Sequence, residues 1–539
     1  MFNTIKALNR RQLFRVAGFF GAGGLLPASA ACAAQGRRTV ATAAPAAEAD
    51  VYTRIGVRPL INCRGTFTII GGSVELPEVR SAKSIANQQF AHLDEVMDAV
   101  GRRLAELTGA EWGMVSAGCA AAMSHATAAC VAGGNPDLHV RIPNLEGFQK
   151  DEVIIPTHSR NVYDAAIRAV GVKIIEVDSP EALQLAIGPR TAMIYINASP
   201  RTDSGPMSTE SICGIAKGHN VPVFVDAAAE ILTIPNVHLQ RGATLVGYSG
   251  GKYIRGPQSA GLLLGRKDLV QAAWVHSAPH HGYARSMKVG REEMIGMLVA
   301  VERWVARDHA AEWKDWVARC EHIAARASKV AGVTALVEED PGPGLSNRSP
   351  RVTLRWESTA LGLTGQDVVK ILDTTEPRIT LNAAGRGNTG QDAPGDTGIT
   401  IVPAMMKAGE EKVVADRLVA VLSEKRPPST AASLAAPASD LSGRWDVEIK
   451  YVASTSTHTV HLRQDGNRLS GLHQGNFVAR DIAGTIDGDA VALASVVTER
   501  HGDSLNYRFA GKVAGDTMSG TLEMGEYRGA AWTARRARA

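Results

Sequence analysis

Short apolar runs that alternate with helical patterns are the feature that most restricts how this chain can fold. Between residues 51 and 422, the runs that we interpret as buried strands include 153–155, 173–177, 192–196 and 221–225. Helical patterns separate them, for example at 163–170 and 209–218. This alternation is typical of an α/β fold with a largely parallel sheet. A long helical region at 304–330 leads to a second α/β unit at about 333–422.

The length and composition indicate a soluble globular protein with more than one folded unit. Its 539 residues are too many for one compact core, so two or three units are expected. The formal net charge is only +4, which gives no reason to expect a nucleic-acid partner. The six cysteines form no CxxC pair, so we predict neither a metal site nor a disulfide framework.

The pattern changes after residues 425–440, a stretch rich in Pro, Ser and Ala that we interpret as a linker. From 441 to 539, short alternating runs are separated by turn sequences such as Asp487-Gly488-Asp489. Such spacing predicts an antiparallel β-meander or a small barrel. No catalytic constellation stands out in this region, which favours an accessory or interaction domain.

The first 32 residues have the order of charges expected of a twin-arginine export signal. Arg10 and Arg11 precede an apolar stretch at 16–26, which is shorter than the roughly 20 residues of a membrane-spanning helix. Cleavage is predicted after Ala28-Ser29-Ala30, with lipoprotein processing at Cys32 as the alternative. We therefore expect a signal peptide at 1–32, a linker at 33–50, and a periplasmic mature chain without a transmembrane segment.

Three sequence features in the α/β part fit one site. Asp226 ends a predicted strand, and Lys252 follows the strand 243–246 in the turn Ser249-Gly250-Gly251-Lys252. Both would lie at the carboxyl edge of the sheet, where open α/β sheets bind ligands. A shielded lysine can form a Schiff base with an aldehyde cofactor, and a carboxylate can hold a pyridinium nitrogen. The turn before a helix at Gly118-Cys119 can bind a phosphate.

Each of these features also has an ordinary structural interpretation. A lysine after two glycines is commonly a surface turn, an aspartate at a strand end is commonly a helix cap, and small residues before a helix commonly serve close packing. The order and spacing of the three together favour a pyridoxal phosphate (PLP) site.

Several motifs resemble those of a known enzyme family. They are Leu60-Ile61-Asn62-Cys63-Arg64-Gly65, Glu106-Leu107-Thr108-Gly109, Thr157-His158-Ser159-Arg160, Val225-Asp226-Ala227-Ala228, Tyr248-Ser249-Gly250-Gly251-Lys252 with Gly256-Pro257, and Met287-Lys288-Val289-Gly290-Arg291. With these motifs the stretch 51–422 resembles the selenocysteine synthase-like branch of fold-type I PLP enzymes, which includes D-glucosaminate-6-phosphate ammonia-lyase. The resemblance implies an aspartate aminotransferase-like catalytic region at 51–424. Its large domain would span about 91–290, and its small domain about 291–424 with the N-terminal segment.

The resemblance also assigns roles to individual residues. Lys252 would form the Schiff base and move the substrate's α-proton, and Asp226 would pair with the pyridine nitrogen. Gly118, Cys119 and Ser249 would hold the phosphate. His158 would stack on the cofactor ring, with a capped turn or a core histidine as the alternative.

A basic cluster follows the lysine strand and is made up of Arg285, Lys288 and Arg291. It would bind acidic groups of the substrate or the phosphate of a neighbouring subunit's cofactor, with a solvated basic face as the alternative. Two positions depart from the family's pattern, since relatives usually have lysine at Arg291 and alanine is common at Cys119.

The reaction implied by the resemblance is an α,β-elimination that releases ammonia from a small amino acid or amino sugar acid. Alternatives on the same scaffold are a β-replacement of the selenium-transferase type and a transamination. An alternative of another class is a non-catalytic exported binding protein in which the β-rich tail does the binding. The export signal stands where selenocysteine synthases carry a tRNA-binding region, which disfavours a tRNA substrate. The resemblance also implies a homodimer or a higher homo-oligomer.

Overall fold

The computed structural model describes residues 51–342, 344–384, 396–426, 434–498 and 504–537. The predicted signal peptide at 1–32, the linker at 33–50 and the lipoprotein site at Cys32 lie outside these residues, as does part of the predicted linker at 425–440. Residues 51–58 belong to a unit of their own, in which Val51–Arg54 forms helix α1.

The strands of the α/β part are β1 Ile61–Asn62, β2 Trp112–Ser116, β3 Glu152–Pro156, β4 Lys173–Val177, β5 Thr191–Asn197, β6 Val223–Asp226, β7 Leu245–Ser249, β8 Gly261–Gly265, β9 Thr334–Glu338, β10 Arg351–Glu357, β11 Ile379–Thr380, β12 Asn382–Ala383 and β13 Asp396–Ile401. The helices are α2 Pro77–Asn87, α3 Leu93–Thr108, α4 Cys119–Ala132, α5 Pro136–His139, α6 Ala165–Arg168, α7 Pro180–Ala186, α8 Thr209–Gly218, α9 Val237–Gln240, α10 Lys267–Val275, α11 Arg291–Ala306, α12 His309–Ala327, α13 Ser358–Leu361, α14 Gly365–Thr374 and α15 Glu410–Ser423.

The large sheet has seven strands in the order β2-β8-β7-β6-β5-β3-β4. The strands from β4 to β7 run parallel, while β8 is antiparallel to both β7 and β2. The four apolar runs predicted as parallel strands are β3, β4, β5 and β6, which confirms the predicted α/β fold. Strand β4 lies at the edge of the sheet and is only partly buried, whereas the sequence predicted a buried strand. The carboxyl ends of these parallel strands meet at one edge of the sheet.

Helix α4 lies against the large sheet, where it contacts strands β5 to β8. Nearly all its residues are buried, and its sequence is rich in alanine. Because small side chains let the helix backbone come close to the sheet, the helix can be buried on almost every side. Its N-terminus is directed by this packing to the same region as the ends of β6 and β7.

The smaller sheet is antiparallel, with the strand order β12-β13-β10-β9. Helix α12 joins the two cores, since Trp316 packs in the core of the large sheet while Cys320 and Ile323 pack in that of the smaller sheet. Strand β1 pairs in parallel with β11, which fixes the segment around Ile61 to the smaller unit. Helix α11 contributes its buried side chains to the large core. The predicted domain boundaries stay predictions.

The C-terminal region forms a closed antiparallel barrel of eight strands. They are β14 Gly443–Lys450, β15 Thr455–Asp465, β16 Arg468–Gln474, β17 Ala479–Asp487, β18 Ala490–Thr498, β19 Ser504–Ala514, β20 Thr517–Glu523 and β21 Gly529–Arg536. Each strand pairs with the next, and β14 closes the barrel on β21. Inward and outward residues alternate, as in Trp445, Val447 and Ile449 of β14, which are all buried. The prediction of a meander or small barrel is confirmed.

Across the described part of the chain, no helix combines the length and the apolar character needed to cross a membrane.

Candidate active site

Asp226 is the last residue of β6, and its side chain is only 4% exposed. Its Oδ2 accepts a hydrogen bond of 3.0 Å from the hydroxyl of Tyr195. Its Oδ1 accepts one of 3.0 Å from the main-chain N–H of Ala228 and one of 3.4 Å from the thiol of Cys119. Burial raises the pKa of Asp226, and these hydrogen bonds oppose that rise. The carboxyl group is therefore held in a fixed orientation at the carboxyl edge of the sheet.

Tyr195 lies on the neighbouring strand β5 and is fully buried. The side-chain amide of Asn161 donates a hydrogen bond of 3.0 Å to its hydroxyl oxygen, so the tyrosine proton is available to Asp226. Reasoning from the sequence missed both Tyr195 and Asn161. One signal was present, because a tyrosine inside an otherwise apolar buried strand must find a polar partner for its hydroxyl.

The N-terminus of α4 approaches this edge closely because two glycines leave room for it. A Cβ atom on Gly261 would lie 2.5 Å from the carbonyl carbon of Gly118, and one on Gly247 would lie 3.0 Å from Sγ of Cys119. Gly118 itself has φ 88°, a conformation that favours glycine. The first N–H groups of a helix have no partner within the helix, so this N-terminus can bind a phosphate beside Asp226.

Lys252 lies in the turn that follows β7 and is partly buried. Its Nζ donates a hydrogen bond of 2.7 Å to the main-chain carbonyl of Thr66. Burial lowers the pKa of Lys252. Within the described ranges no carboxylate forms an ion pair with this lysine. A lysine with a lowered pKa and no carboxylate partner is suited to react as the neutral amine.

Two glycines before Lys252 are required by close packing. A Cβ atom on Gly250 would lie 2.8 Å from the main-chain carbonyl oxygen of Ala260, and one on Gly251 would lie 3.0 Å from Cα of Gln258. The turn is joined to the end of β6, since the N–H of Ser249 donates to the carbonyl of Ala228 at 3.3 Å. The structure thus links the turn that carries Lys252 to the segment that follows Asp226.

His158 lies in a single 3₁₀ turn, Thr157–Ser159, immediately after β3. Burial and the nearby positive charge of Arg201 lower the pKa of His158, so its ring is neutral at neutral pH. Its Nε2 is buried and has no hydrogen-bond partner among the described residues. The predicted stacking of His158 on the cofactor ring stays a prediction.

The structure gives the basic cluster other contacts. Arg285 donates a hydrogen bond of 2.6 Å to the carbonyl of Pro279. Arg291 donates to the carbonyls of Ala86 and Asn87, each at 3.1 Å, at the C-terminal end of α2. Lys288 is exposed. In the part of the chain that is described, none of the three pairs with Lys252 or Asp226, and their predicted role in substrate binding stays a prediction.

The arrangement suits PLP, whose three polar groups each find a suitable counterpart. The helix N-terminus at Gly118 suits the phosphate, the buried acid Asp226 suits the pyridine nitrogen, and Lys252 suits the aldehyde. PLP is therefore the cofactor that these residues fit.

No protein-family model matches the chain. The chain is 30% identical over 328 residues to D-glucosaminate-6-phosphate ammonia lyase of Salmonella typhimurium, which covers 59% of this chain and 85% of that protein. It is 32% identical over 305 residues to 5'-C-glycyluridine monooxygenase-decarboxylase of a Streptomyces species, which covers 54% and 74%. It is 24% identical over 269 residues to L-seryl-tRNA(Sec) selenium transferase of Proteus mirabilis, which covers 44% and 54%.

Among solved structures, that of D-glucosaminate-6-phosphate ammonia-lyase superposes with a TM-score of 0.60 at 28% sequence identity. The match covers 69% of this chain and 98% of that chain. The names of the three relatives describe a lyase, a monooxygenase-decarboxylase and a transferase. Similarity therefore gives the cofactor and the scaffold, while the choice of reaction needs a separate argument.

Proposed function

This chain belongs to the selenocysteine synthase-like family of fold-type I PLP enzymes that includes D-glucosaminate-6-phosphate ammonia lyase, and we propose that it is a lyase that releases ammonia from a small amino acid or amino sugar acid. The observation that carries this proposal is the presence, after neighbouring strands, of a buried and firmly oriented Asp226 and a partly buried Lys252 of lowered pKa. The extent of the match to the ammonia lyase, 85% of that protein, favours elimination over the other reactions.

The chemistry that PLP supplies when bound is the withdrawal of electrons from the carbon that carries the substrate's amino group. Asp226 would hold a proton on the pyridine nitrogen of bound PLP, since its carboxyl is fixed by Tyr195 and Ala228. Nζ of Lys252 takes the proton from the substrate's α-carbon. The electron pair of that C–H bond forms a double bond to the β-carbon as the β-group leaves with its own bonding pair. The enamine that is set free becomes an imine, which water hydrolyses to ammonia and a keto acid.

Replacement and elimination share the loss of the β-group and differ in the step after it. A β-replacement needs a second nucleophile, and a transamination needs a keto acid acceptor. The selenium transferase shares only 24% identity, and the match covers 54% of its length. For these reasons we place elimination first, with the other two as outcomes that the assay must distinguish.

The test begins with attachment of the cofactor. The purified protein should be yellow, and reduction with borohydride followed by peptide mass analysis should find the cofactor on Lys252. A panel of amino acids and amino sugar acids is then screened for ammonia release without any keto acid. Attachment of the cofactor to another residue would contradict the assignment of Lys252. If product forms only with a keto acid, with an added nucleophile or with consumption of oxygen, the proposed lyase reaction is contradicted.

We also propose that the protein is exported by the twin-arginine route and acts in the periplasm. Support comes from the order of Arg10, Arg11 and the apolar stretch 16–26. Fusion of residues 1–50 to a reporter that is active only after folded export provides the test. Replacement of both arginines by lysine should abolish export, and unchanged export in the double variant would contradict the proposal.

A homodimer or higher homo-oligomer is proposed on the basis of the family alone. Light scattering of the cofactor-loaded protein measures its mass directly. A mass of one chain, 57.0 kDa before processing, would contradict it.

A further inference from the structure

A cavity of about 600 Å³ lies beside the turn that carries Lys252, and no residue assigned to the catalytic site lines it. Tyr253, the residue after that lysine, forms one part of the lining, and the segment 231–234 after β6 forms another. The lining residues of α12 share one face of that helix, since they follow each other at helical spacing. They are His309, Glu312, Trp313 and Trp316. The volume falls within the range of about 300–1,000 Å³ that is typical of small-molecule sites.

Aromatic side chains are concentrated at this cavity. The whole chain has only 8 tryptophans and 9 tyrosines. Four of these residues line the cavity, namely Trp304, Trp313, Trp316 and Tyr253. The ring centroid of Trp316 lies 6.0 Å from that of Tyr253 and 6.0 Å from that of Trp313, with the ring planes inclined at 66° and 52°. Aromatic rings favour inclined contacts at centroid distances of about 4.5–7 Å, so an aromatic ring in the cavity would extend this cluster.

Two of the three indoles have an unused hydrogen-bond donor. Nε1 of Trp304 donates a hydrogen bond of 2.7 Å to the carbonyl of Leu232. In the described part of the chain, the indole N–H groups of Trp313 and Trp316 have no such acceptor. Trp316 is only 8% exposed, and the N–H of a buried tryptophan usually finds a partner. An oxygen atom of a bound molecule would provide the acceptor.

The charged groups around the cavity balance one another. Glu312 pairs with Arg307 at 3.5 Å, and Arg348 pairs with Asp340 at 3.3 Å. The same two guanidiniums lie over indole rings that line the cavity, 5.0 and 5.6 Å from the ring centroids. These guanidiniums would repel a cationic ligand, and the carboxylate of Glu312 would repel an anionic one. We therefore expect the ligand of this cavity to be uncharged.

We propose that this cavity binds a small, flat, uncharged aromatic molecule that carries an oxygen acceptor. The ring of the ligand packs against Trp313 and Trp316, and its oxygen accepts a hydrogen bond from an indole N–H. The apolar side chains of Ile231 and Val305, which also line the cavity, exclude water from the rest of the ring. This binding is separate from the catalysis proposed above and does not depend on the lyase reaction.

The test measures binding by isothermal titration calorimetry on the full-length, cofactor-loaded protein. The main probe is benzamide, which is flat and uncharged and has one oxygen acceptor. Cyclohexanecarboxamide has the same amide on a ring that is not aromatic, while benzoate and benzyltrimethylammonium carry a charge. We expect saturable binding of benzamide and at least about tenfold weaker binding of the other three.

Two variants locate the binding. Trp313→Leu should weaken the binding of benzamide at least about tenfold. Lys314→Leu is the matched control on the same helix, because Lys314 is exposed and does not line the cavity, and it should bind as the wild type does. Val305→Trp places a ring in the cavity from a position that is 46% exposed, so it should block binding without removing a core side chain.

A further variant separates this cavity from the catalytic site. Lys252→Ala should bind benzamide as the wild type does, whatever reaction the enzyme catalyses. Absence of benzamide binding, equal or tighter binding of any of the other three probes, or wild-type binding by Trp313→Leu or Val305→Trp would each overturn the proposal. Loss of benzamide binding in Lys252→Ala would also overturn it, because the probe would then occupy the catalytic site.

Discussion

The hydroxyl of Tyr195 donates a hydrogen bond of 3.0 Å to Oδ2 of Asp226 across the neighbouring strands β5 and β6. Asn161 donates to the same hydroxyl, which fixes the direction of the tyrosine proton. The hydrogen bond favours the ionised carboxylate and so acts against the effect of burial on the pKa of Asp226. Tyr195 is thus a positioning residue for the acid that would hold the cofactor.

Replacement of Tyr195 by phenylalanine should weaken cofactor binding about tenfold, since a hydrogen bond to a charged group contributes about 1.5–3 kcal/mol and part of this loss falls on the complex. The pKa of Asp226 should rise further in this variant. When the pH is lowered, cofactor binding should therefore begin to weaken at a higher pH in the variant than in the wild type. Equilibrium titration with PLP across a pH series measures both effects. Tyr163→Phe, at an exposed tyrosine, is the control. Equal affinities for the two variants would contradict the role of Tyr195.

Attachment of PLP to the apoprotein should depend on the lowered pKa of Lys252. Only the neutral amine reacts, so the attachment rate should rise with pH and reach its midpoint below 10.5, the ordinary lysine value. Stopped-flow absorbance at a series of pH values gives this midpoint. Lys252→Ala should show no attachment that borohydride can trap. A midpoint at or above the ordinary value would show that burial does not activate this lysine.

Gly261→Ala should disrupt the phosphate end of the site. The added methyl group would lie 2.5 Å from the carbonyl carbon of Gly118, so the N-terminus of α4 must move away from the sheet. We expect a loss of about 1–3 kcal/mol in stability, together with weaker cofactor binding. Gly218→Ala is the control, because its Cβ would meet no atom within 4 Å. Chemical unfolding and PLP titration of both variants provide the comparison. A Gly261→Ala variant that binds PLP as tightly as the wild type would contradict the role of this glycine at the phosphate end of the site.

His158 should act through its flat ring. If it stacks on the cofactor, His158→Phe should keep the affinity for PLP within about threefold, whereas His158→Ala should lose about tenfold, since aromatic stacking contributes about 0.5–1.5 kcal/mol. The same titration measures both variants. A loss in the phenylalanine variant as large as that in the alanine variant would show that a ring nitrogen, and not stacking, is needed.

The sequence predicted the central strands of the large sheet well because β3, β5 and β6 are buried on both faces and therefore appear as continuous apolar runs. The predicted strand 173–177 and helix 209–218 coincide with β4 and α8. The helical region predicted at 304–330 is interrupted at Arg307, whose backbone is extended. Asp308 begins a new helix there, since its side chain accepts a hydrogen bond from the N–H of Ala311. This N-cap could have been recognised from the sequence.

Other features depended on contacts that no local pattern contains. The carbonyl of Thr66 receives the hydrogen bond of Lys252 from 186 residues away in the chain. In the barrel, His473 and Arg480 face inward, so the polar residues at these positions hid the apolar alternation of β16 and β17. The predicted helix at 163–170 is shorter in the structure, with a 3₁₀ turn at Val162–Asp164 followed by α6.

The pairing of β1 with β11 has a structural consequence. Thr66, whose carbonyl holds Nζ of Lys252, lies on the segment that this pairing and the hydrogen bond from Val402 to Cys63 attach to the smaller sheet. The carbonyl that accepts the hydrogen bond of Lys252 therefore belongs to a segment anchored on the smaller unit, while the lysine itself follows a strand of the large sheet.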